Sequence, residues 1–379
     1  MDFKGGEMNS RKVVLTWIIC AVMFCVMCVA LVYRIDPYFH YHYPLIDKYY
    51  YEIDDERTLN DGIIKNFDYD AIITGTSMTG NFKTSEADQI FGCTSIKAPS
   101  SGATYCEING YVQSAIAHKD IALVIRGLDM TKYWTSANLM RWDAGTYPEY
   151  LYDDKLYNDV NYWFNKDVLL EKIVPMIVAK NKKDFMPGIT PFDDHSAWGK
   201  GASYGKDGII SEKIEEVVPG EVYGISEEEW ADVKANIEQN VIRVARDNPD
   251  IEFYYFTTPY SLWWWREQLT IGWVDRYLEA EKYLIEQCLN YDNIKLFSFN
   301  TRSDITGDLN NYMDYMHYAP WVNSWMLRCM KEGKYQLTKD NYEQYLSDEA
   351  KLYYNYDYLS FIEQIDYEDD NIAVERFVD

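Results

Sequence analysis

The chain has 379 residues, of which 61 are acidic and 36 basic, so its formal net charge is −25. This length allows one large domain or two ordinary ones, and 35 tyrosines and 12 tryptophans argue against disorder. Because so acidic a surface repels phosphates, a nucleic-acid-binding role is disfavoured. The seven cysteines show no metal-type spacing, so we predict no metal site and leave their pairing open.

An apolar segment at residues 13–33 contains no charged residue and is long enough to cross a bilayer as a helix. Basic residues precede it, so the positive-inside rule predicts a cytoplasmic N-terminus at 1–12 and an extracytoplasmic remainder of the chain. A cleaved signal peptide is the alternative, because Cys28-Val29-Ala30 is a small-x-small triplet. The apolar run is longer than a typical signal-peptide core, which favours an uncleaved, single-pass anchor in the cell membrane.

Residues 34–68 are interpreted as a juxtamembrane connector, and the tyrosines and histidines around His40 and His42 suit the membrane interface. Beyond it, strand-like and helix-like patterns alternate through residues 69–337. This alternation predicts an α/β fold with a mostly parallel sheet and helices on both faces. The predicted strands are 70–74, 93–96, 121–125, 251–256 and 294–297, and the predicted helices are 85–91, 107–118, 226–246, 274–289 and 321–331.

Residues 131–224 interrupt the alternation and are rich in tyrosine and tryptophan. We interpret them as an insertion that caps the carboxyl edge of the sheet, with one helix near 167–180. His195 lies in this insertion beside two acids, which is more typical of a surface histidine than of a ligand or base. Residues 338–379 are predicted to be an acidic C-terminal segment that is partly helical.

The first predicted strand ends in the turn Gly75-Thr76-Ser77, ahead of a helix. A serine at a strand-to-helix turn lies at the carboxyl edge of the sheet, where open α/β folds bind their ligands. Alone, the tripeptide is better explained as polar turn chemistry. Asp314 and His317 supply possible partners, because a spacing of three on a helical turn places both on one face. A carboxylate so placed can orient an imidazole that accepts the proton of a serine.

In combination these segments resemble the SGNH (GDSL-like) hydrolase superfamily, whose four sequence blocks carry Ser, Gly, Asn and His. The Ser block corresponds to Gly75-Thr76-Ser77, the Gly block to Ser101-Gly102, and the last block to Asp314-x-x-His317. The layout is similar to membrane-anchored extracytoplasmic members associated with cell-surface polymer acylation. The resemblance implies an SGNH-like, flavodoxin-like three-layer fold behind the anchor.

The resemblance also implies roles for individual residues. Ser77 would be the nucleophile, His317 the general base and then acid, and Asp314 the orienting carboxylate. The backbone N–H groups of Ser77 and Gly102 would stabilise the oxyanion, each contributing about 3 kcal/mol to lowering the barrier.

The Asn block is where this chain departs from the superfamily, because Gly127-Leu128-Asp129 stands in its place. An ionised Asp129 accepts hydrogen bonds but cannot donate one to an oxyanion. Three explanations are open: Asp129 is protonated, Asn138 or another donor replaces the amide, or the chemistry is weak. Arg126 is a further candidate for compensating negative charge, although a strand-end arginine is more often a salt-bridge partner.

A run of aromatic residues follows the fourth strand, at the same edge of the predicted sheet. Its members, Trp263, Trp264 and Trp265, are candidates for stacking on sugar rings, and Arg266 is a candidate for binding an anionic polymer. The alternative, with equal weight, is that the tryptophans pack the cap onto the sheet.

These features predict a bacterial, extracytoplasmic O-acyltransferase or acyl esterase that acts on a cell-envelope glycan or teichoic-type polymer without a cofactor. Alternatively, a protein with this fold but weak or no catalytic activity would act as a scaffold or binding partner of a multi-pass membrane acyltransferase. A third, less favoured reading is a receptor-like sugar-binding protein, for which Trp263–Trp265 would matter and His317 would not.

Overall fold

The computed structural model describes residues 10–141, 147–179, 188–367 and 377. The predicted cytoplasmic residues before Ser10, two parts of the predicted cap (142–146 and 180–187) and most of the tail after 367 lie outside the described residues. The first helix, α1 (Ser10–Ile35), is long and apolar enough to cross a membrane. Its apolar side chains are largely exposed up to Met27, whereas Cys28, Val32 and Ile35 are buried against the rest of the protein.

The described residues contain eight strands in two sheets. The strands are β1 (Tyr50–Tyr51), β2 (Ala71–Gly75), β3 (Ser95–Pro99), β4 (Leu123–Leu128), β5 (Gly188–Ile189), β6 (Glu252–Thr257), β7 (Ile294–Ser298) and β8 (Gln336–Leu337). The main sheet has the order β3-β2-β4-β6-β7-β8, in which only β8 runs antiparallel, and β1 pairs with β5 separately. All five predicted strands are confirmed. The two-residue strands β1, β5 and β8 are too short to leave a pattern in the sequence.

The helices that follow α1 agree with the predicted alternation. Two stretches are π-helical. Asp167–Ile173 continues directly into α6 (Val174–Ala179), and Glu238–Ile242 joins α8 (Glu227–Ile237) to α9 (Arg243–Arg246). The remaining helices are α2 (Glu56–Asn66), α3 (Thr84–Phe91), α4 (Tyr105–His118), α5 (Val160–Trp163), α6 (Val174–Ala179), α7 (Lys206–Ile209), α8 (Glu227–Ile237), α9 (Arg243–Arg246), α10 (Leu262–Thr270), α11 (Val274–Cys288), α12 (Ser303–Thr306), α13 (Pro320–Glu332) and α14 (Tyr342–Asn355).

The order of the five parallel strands places a crevice at one point of the sheet. Counted from β2, the order is 2-1-3-4-5, which reverses direction at β2. In sheets of this order ligands bind beyond the carboxyl ends of the two strands that flank the reversal. Those strands are β2 and β4, so the turn at Ser77 and the turn at Asp129 both lie at this crevice.

The insertion between β4 and β6 packs against the connector, and one prediction about it is wrong. His195 is not a surface residue but fully buried. Its Nδ1 lies 3.2 Å from the carbonyl oxygen of Ile53, and its Nε2 lies 3.3 Å from Oδ1 of Asn60. Burial, with a smaller effect of Lys97, lowers the pKa of His195 to about 4. The imidazole is therefore a neutral bridge between the insertion and the connector.

The C-terminal segment is part of the packed structure rather than a detached tail. α14 packs on α10 and α11, and the ring of Tyr353 stacks on Trp265 with 3.7 Å between centroids. The described residues of the segment therefore complete the core. All seven cysteines are free thiols.

Candidate active site

The turn that follows β2 presents Ser77 at the start of a short 3₁₀ turn, Ser77–Thr79. The hydroxyl of Thr76 caps this turn. Gly75 has φ of +154°, and a Cβ at this position would lie 2.6 Å from Cγ2 of Thr79. The close approach explains why glycine precedes Thr76 and Ser77, since any side chain would displace the turn that carries the serine.

The structure brings together the three residues that the sequence proposed for chemistry. The hydroxyl oxygen of Ser77 lies 2.8 Å from Nε2 of His317. On the other side of the ring, Nδ1 of His317 lies 2.8 Å from Oδ2 of Asp314. The three side chains form a continuous hydrogen-bonded chain, which is the arrangement that activates a serine as a nucleophile.

The loop that carries Asp314 and His317 is not the helical turn that we predicted. It is closed by a β-bridge between Tyr312 and Tyr318. Oδ1 of Asp314 accepts the backbone N–H groups of Met316 and His317, each at 2.8 Å. Aspartate commonly replaces helical bonding in this way, by satisfying backbone donors two and three residues ahead.

These hydrogen bonds also govern the ionisation of Asp314. Burial alone would raise the pKa of its carboxyl group, but the hydrogen bond and charge of His317, with the backbone N–H groups, lower it below the usual value. The ionised carboxylate can therefore hold Nδ1–H of His317 and leave Nε2 to accept a proton from Ser77.

Two backbone N–H groups, those of Ser77 and Gly102, are candidates for binding an oxyanion. Gly75 pairs with Pro99 across β2 and β3, so Ser77 and Gly102 follow adjacent strand ends at the same edge. Gly102 has φ of +64°. Among the described residues, neither the N–H of Ser77 nor that of Gly102 donates a hydrogen bond to another protein atom. Both donors remain available to a ligand.

Asp129 has a structural role in place of the expected amide. It is 3% exposed, and its carboxylate accepts the backbone N–H and the hydroxyl of Thr131, at 3.0 and 2.6 Å, and the hydroxyl of Tyr260. The hydroxyl of Thr76 donates to it as well, at 2.9 Å. Four donors occupy the carboxylate, and one of them belongs to the residue beside Ser77. Asp129 therefore positions the Ser77–Thr79 turn through Thr76.

The two predicted replacements for the amide are engaged elsewhere. Oδ1 of Asn138 accepts a hydrogen bond of 2.8 Å from Gln239. Arg126 is fully buried in β4, where its guanidinium donates to the carbonyl of Asn240 at 2.6 Å. In the part of the chain that the structure describes, neither side chain contacts the triad.

Arg141 is a cation that the sequence did not single out. Its Nη1 donates to the carbonyl oxygen of Ser101 at 2.9 Å. A Cβ on Gly102 would lie only 1.6 Å from the same nitrogen, so the guanidinium packs directly on Gly102. A positive charge therefore lies beside one of the two candidate oxyanion donors.

Trp198 covers the triad from the insertion. Its indole N–H donates to the carbonyl oxygen of Ser77 at 2.7 Å, and its ring lies edge-on to His317 with 5.0 Å between centroids. No local pattern could have identified this residue, because 121 positions separate it from Ser77. Trp198 of the insertion therefore lies at the carboxyl edge of the sheet, beside Ser77 and His317.

Lys97 links the residues that follow the Ser77–Thr79 turn to the insertion. Its ammonium group donates to the carbonyl oxygens of Gly80, Phe82 and Asp193, at 2.5, 2.9 and 3.3 Å. Burial lowers the pKa of Lys97 to about 7, against the opposing charges of Asp193 and Asp194. The lysine thus replaces the water that these three carbonyls would otherwise need.

Comparison of the chain with protein-family models, with curated proteins and with solved structures finds no match. The geometry of the site therefore carries the functional argument. In the ranges that the structure describes, no group of three or more His, Cys, Asp and Glu side chains is arranged to hold a metal ion.

The aromatic run after β6 does not form the predicted sugar-binding surface. Trp263, Trp264 and Trp265 are all buried, and Trp264 packs on Tyr260 and Tyr277. Arg266 lies over the ring of Trp263. The tryptophans are packing residues, but their ring partners lie in α11 and the C-terminal segment rather than in the cap that the alternative named.

A large open cavity of about 1510 Å³ lies beside the triad rather than over it. Trp198 and Ser101 are among its lining residues, whereas Ser77 and His317 are not. Tyr38, Tyr50, Tyr147 and Tyr150 also line it, together with acidic, basic and amide side chains. The cavity thus reaches the residues that contact the triad from the side of the connector.

Proposed function

We propose that this protein is a membrane-anchored, SGNH-like serine acyltransferase or acyl esterase with an extracytoplasmic catalytic domain. The observation that carries the proposal is the chain from Ser77 to His317 to Asp314, with 2.8 Å at each contact. Strand order supports a three-layer SGNH-like arrangement. The contacts of α3 with α13, and of α4 with α2 and the π-helical stretch Glu238–Ile242, agree with helices in two layers.

The proposed reaction begins with attack of the Ser77 hydroxyl oxygen on the carbonyl carbon of an ester. Nε2 of His317 takes the hydroxyl proton as the new C–O bond forms, and Asp314 stabilises the resulting imidazolium. His317 then donates this proton to the leaving alkoxide as the ester bond breaks, which leaves an acyl group on Ser77. An acceptor hydroxyl, or water, then gives its proton to His317 and attacks the acyl carbon; the ester bond to Ser77 breaks, and His317 returns the proton to the serine oxygen.

Negative charge on the tetrahedral intermediate would be met by the N–H groups of Ser77 and Gly102. Each donor of this kind contributes about 3 kcal/mol to lowering the barrier. The guanidinium of Arg141 adds a positive charge next to Gly102. These groups would serve in place of the amide that Asp129 does not provide.

A cell-envelope glycan or teichoic-type polymer is the substrate class that we propose. The cavity beside Trp198 is open and its volume exceeds that of an ordinary small-ligand pocket. Tyrosine rings mixed with carboxylates and amides suit the alternating apolar and hydroxyl faces of sugars. An extended polymer in this cavity could reach the triad beside Trp198 and Ser101.

Labelling with a fluorophosphonate probe tests the nucleophile. The full chain should react, and Ser77→Ala should not. Ser114→Ala is a matched control, because Ser114 lies in α4 and its buried hydroxyl has no partner among the described residues. Equal labelling of the wild-type and Ser77→Ala proteins would contradict the proposal.

A scaffold for a multi-pass acyltransferase is the second candidate, and the absence of an amide at Asp129 favours it. The two candidates differ in cells. A catalytic role requires that Ser77→Ala change acylation of the polymer, downward for an acyltransferase and upward for an esterase, while a scaffold leaves acylation unchanged as long as the folded domain is present at the wild-type level.

A further inference from the structure

A stripe of exposed apolar residues runs along the helix formed by Asp167–Ile173 and α6. Leu170, Val174 and Val178 recur every fourth residue and are 57%, 43% and 63% exposed. Side chains four apart share one face of a helix. The opposite face, which includes Val168, Ile173 and Met176, is buried in the core. The helix is therefore apolar on two sides, and the described residues cover one of them.

This stripe lies beside the point where α1 enters the domain. The hydroxyl of Tyr162 donates to Asp36, the first residue after α1, at 2.8 Å. The ring of Tyr162 also stacks on Tyr38 with 5.4 Å between centroids. A small cavity of about 190 Å³ is lined jointly by Pro37 and by Pro175 and Met176 of the striped helix. The striped helix therefore lies close to the end of the apolar α1.

Polar contacts hold the segment before α5 against the connector. The carboxylate of Asp36 accepts the backbone N–H groups of His40, Tyr41 and His42, at 3.0, 2.7 and 3.0 Å. The hydroxyl of Tyr41 donates to Asp159 at 2.7 Å. The striped helix contacts both α1 and α5, so these buried or partly buried hydrogen bonds stabilise a neighbour on which it packs.

We infer that this stripe is a second membrane-contact site, which lies in the interfacial region of the bilayer that α1 crosses. Its occupant is the boundary between lipid head groups and acyl chains. The contact is continuous with α1, whose outward side chains are apolar up to Met27. We attribute the contact to burial of apolar surface, because the three side chains of the stripe are apolar and exposed.

This contact would set the orientation of the catalytic domain. Lys172 follows Leu170 on the striped helix and also lines the large cavity, as do Tyr38 and Tyr50 of the connector. A bilayer contact at the stripe would therefore hold the side of that cavity lined by Lys172 near the membrane surface. A substrate or acyl donor delivered from the membrane would enter from this side.

Photo-crosslinking of the full chain in vesicles tests the inference without disturbing the fold. A benzophenone amino acid is placed at Leu170, Val174 or Val178, and the protein is reconstituted in phosphatidylcholine vesicles. Val22 in α1 is the positive control, and Val218, an apolar residue that is 76% exposed, is the matched negative control. We expect lipid adducts at the three stripe positions and at Val22, and none at Val218.

Several results would overturn the inference. One is lipid adducts at Val22 with none at the stripe. Another is a protein adduct in place of lipid when the same variants are irradiated in cell membranes, which would assign the stripe to a membrane-protein partner. A strict requirement for added phosphatidylglycerol would contradict an apolar contact. In a second variant, Val174→Asp should reduce the adduct at Val178 to background, because a carboxylate is disfavoured within a bilayer, while Val218→Asp should leave it unchanged.

Discussion

Replacing Asp314 with asparagine isolates the role of the orienting carboxylate. Oδ1 of Asp314 accepts two backbone N–H groups, and Oδ2 contacts Nδ1 of His317. In Asp314→Asn the amide oxygen can keep the two backbone bonds while its NH₂ group faces the imidazole. Nδ1 must then accept a hydrogen bond, so the proton moves to Nε2, which can no longer accept the proton of Ser77.

The geometry sets the size of the expected effect. The same exchange in a fully buried Ser-His-Asp triad lowers kcat by about 10⁴. Here the Asp314 side chain is 38% exposed, so water can partly replace the lost orientation, and we expect a loss of about 10³ in kcat/KM, or about 4 kcal/mol. Stability should change by less than about 1 kcal/mol, since the pair is partly solvated and the backbone bonds are kept.

Hydrolysis of a p-nitrophenyl ester by the purified full chain measures this loss, with thermal unfolding as the check on the fold. Asp357→Asn is the matched control, because Asp357 also accepts a backbone N–H two residues ahead but lies outside the site. The reasoning is refuted if Asp314→Asn and Asp357→Asn have kcat/KM values within about threefold of each other. A shared mechanism would also be contradicted if the double variant Asp314→Asn, Ser77→Ala had a lower kcat/KM than Ser77→Ala alone.

Three other substitutions test the oxyanion site, the buried histidine and the aromatic run. Gly102→Ala should reduce ester hydrolysis by about 10², because its Cβ would collide with Arg141, whereas Gly92→Ala, which has a similar positive φ but open space, should affect only thermal stability. The free energy of unfolding should fall by about 3 kcal/mol as the pH drops from about 6.5 to about 4, because only the unfolded state protonates His195 in that window. In His195→Gln, the free energy of unfolding measured in urea should no longer show this dependence on pH. Trp265→Ala should lower the free energy of unfolding, measured in urea, by about 3–5 kcal/mol and leave fluorophosphonate labelling of the folded protein intact. An exposed, sugar-binding tryptophan would not cost that much stability.

The sheet was predictable because its strands are buried on both faces. Parallel strands such as β2 and β4 leave continuous apolar runs between turns, and each run is visible in the sequence without knowledge of its neighbours. The pairing of β1 with β5 was not visible, because two residues carry no period and their register depends on a contact across 138 positions. The burial of α14 depends in the same way on a distant partner, Trp265.

The candidate site was predictable only as far as residue type implies chemistry. Serine after a strand and an Asp-x-x-His pair suggest a nucleophile and its base, and the structure brings them together. The local structure around them could not be predicted, because Asp314 closes a loop with its own side chain where the spacing also fits a helix. His195 was misjudged for a similar reason, since its burial is decided by Ile53 and Asn60 and not by its acidic neighbours.

Asp129 shows why a departure at one motif position need not remove activity. A carboxylate that faced the oxyanion would raise the barrier, but this one is occupied by Thr131, Tyr260 and Thr76. Losing a single amide donor costs about 10² to 10³ in rate, which is small beside what the triad and two backbone donors provide. Because Thr76 precedes Ser77, the carboxylate also fixes the turn from which the nucleophile projects. The same aspartate that prevents an additional oxyanion donor therefore gives the nucleophile its geometry, and only removal of the triad itself should abolish acyl transfer.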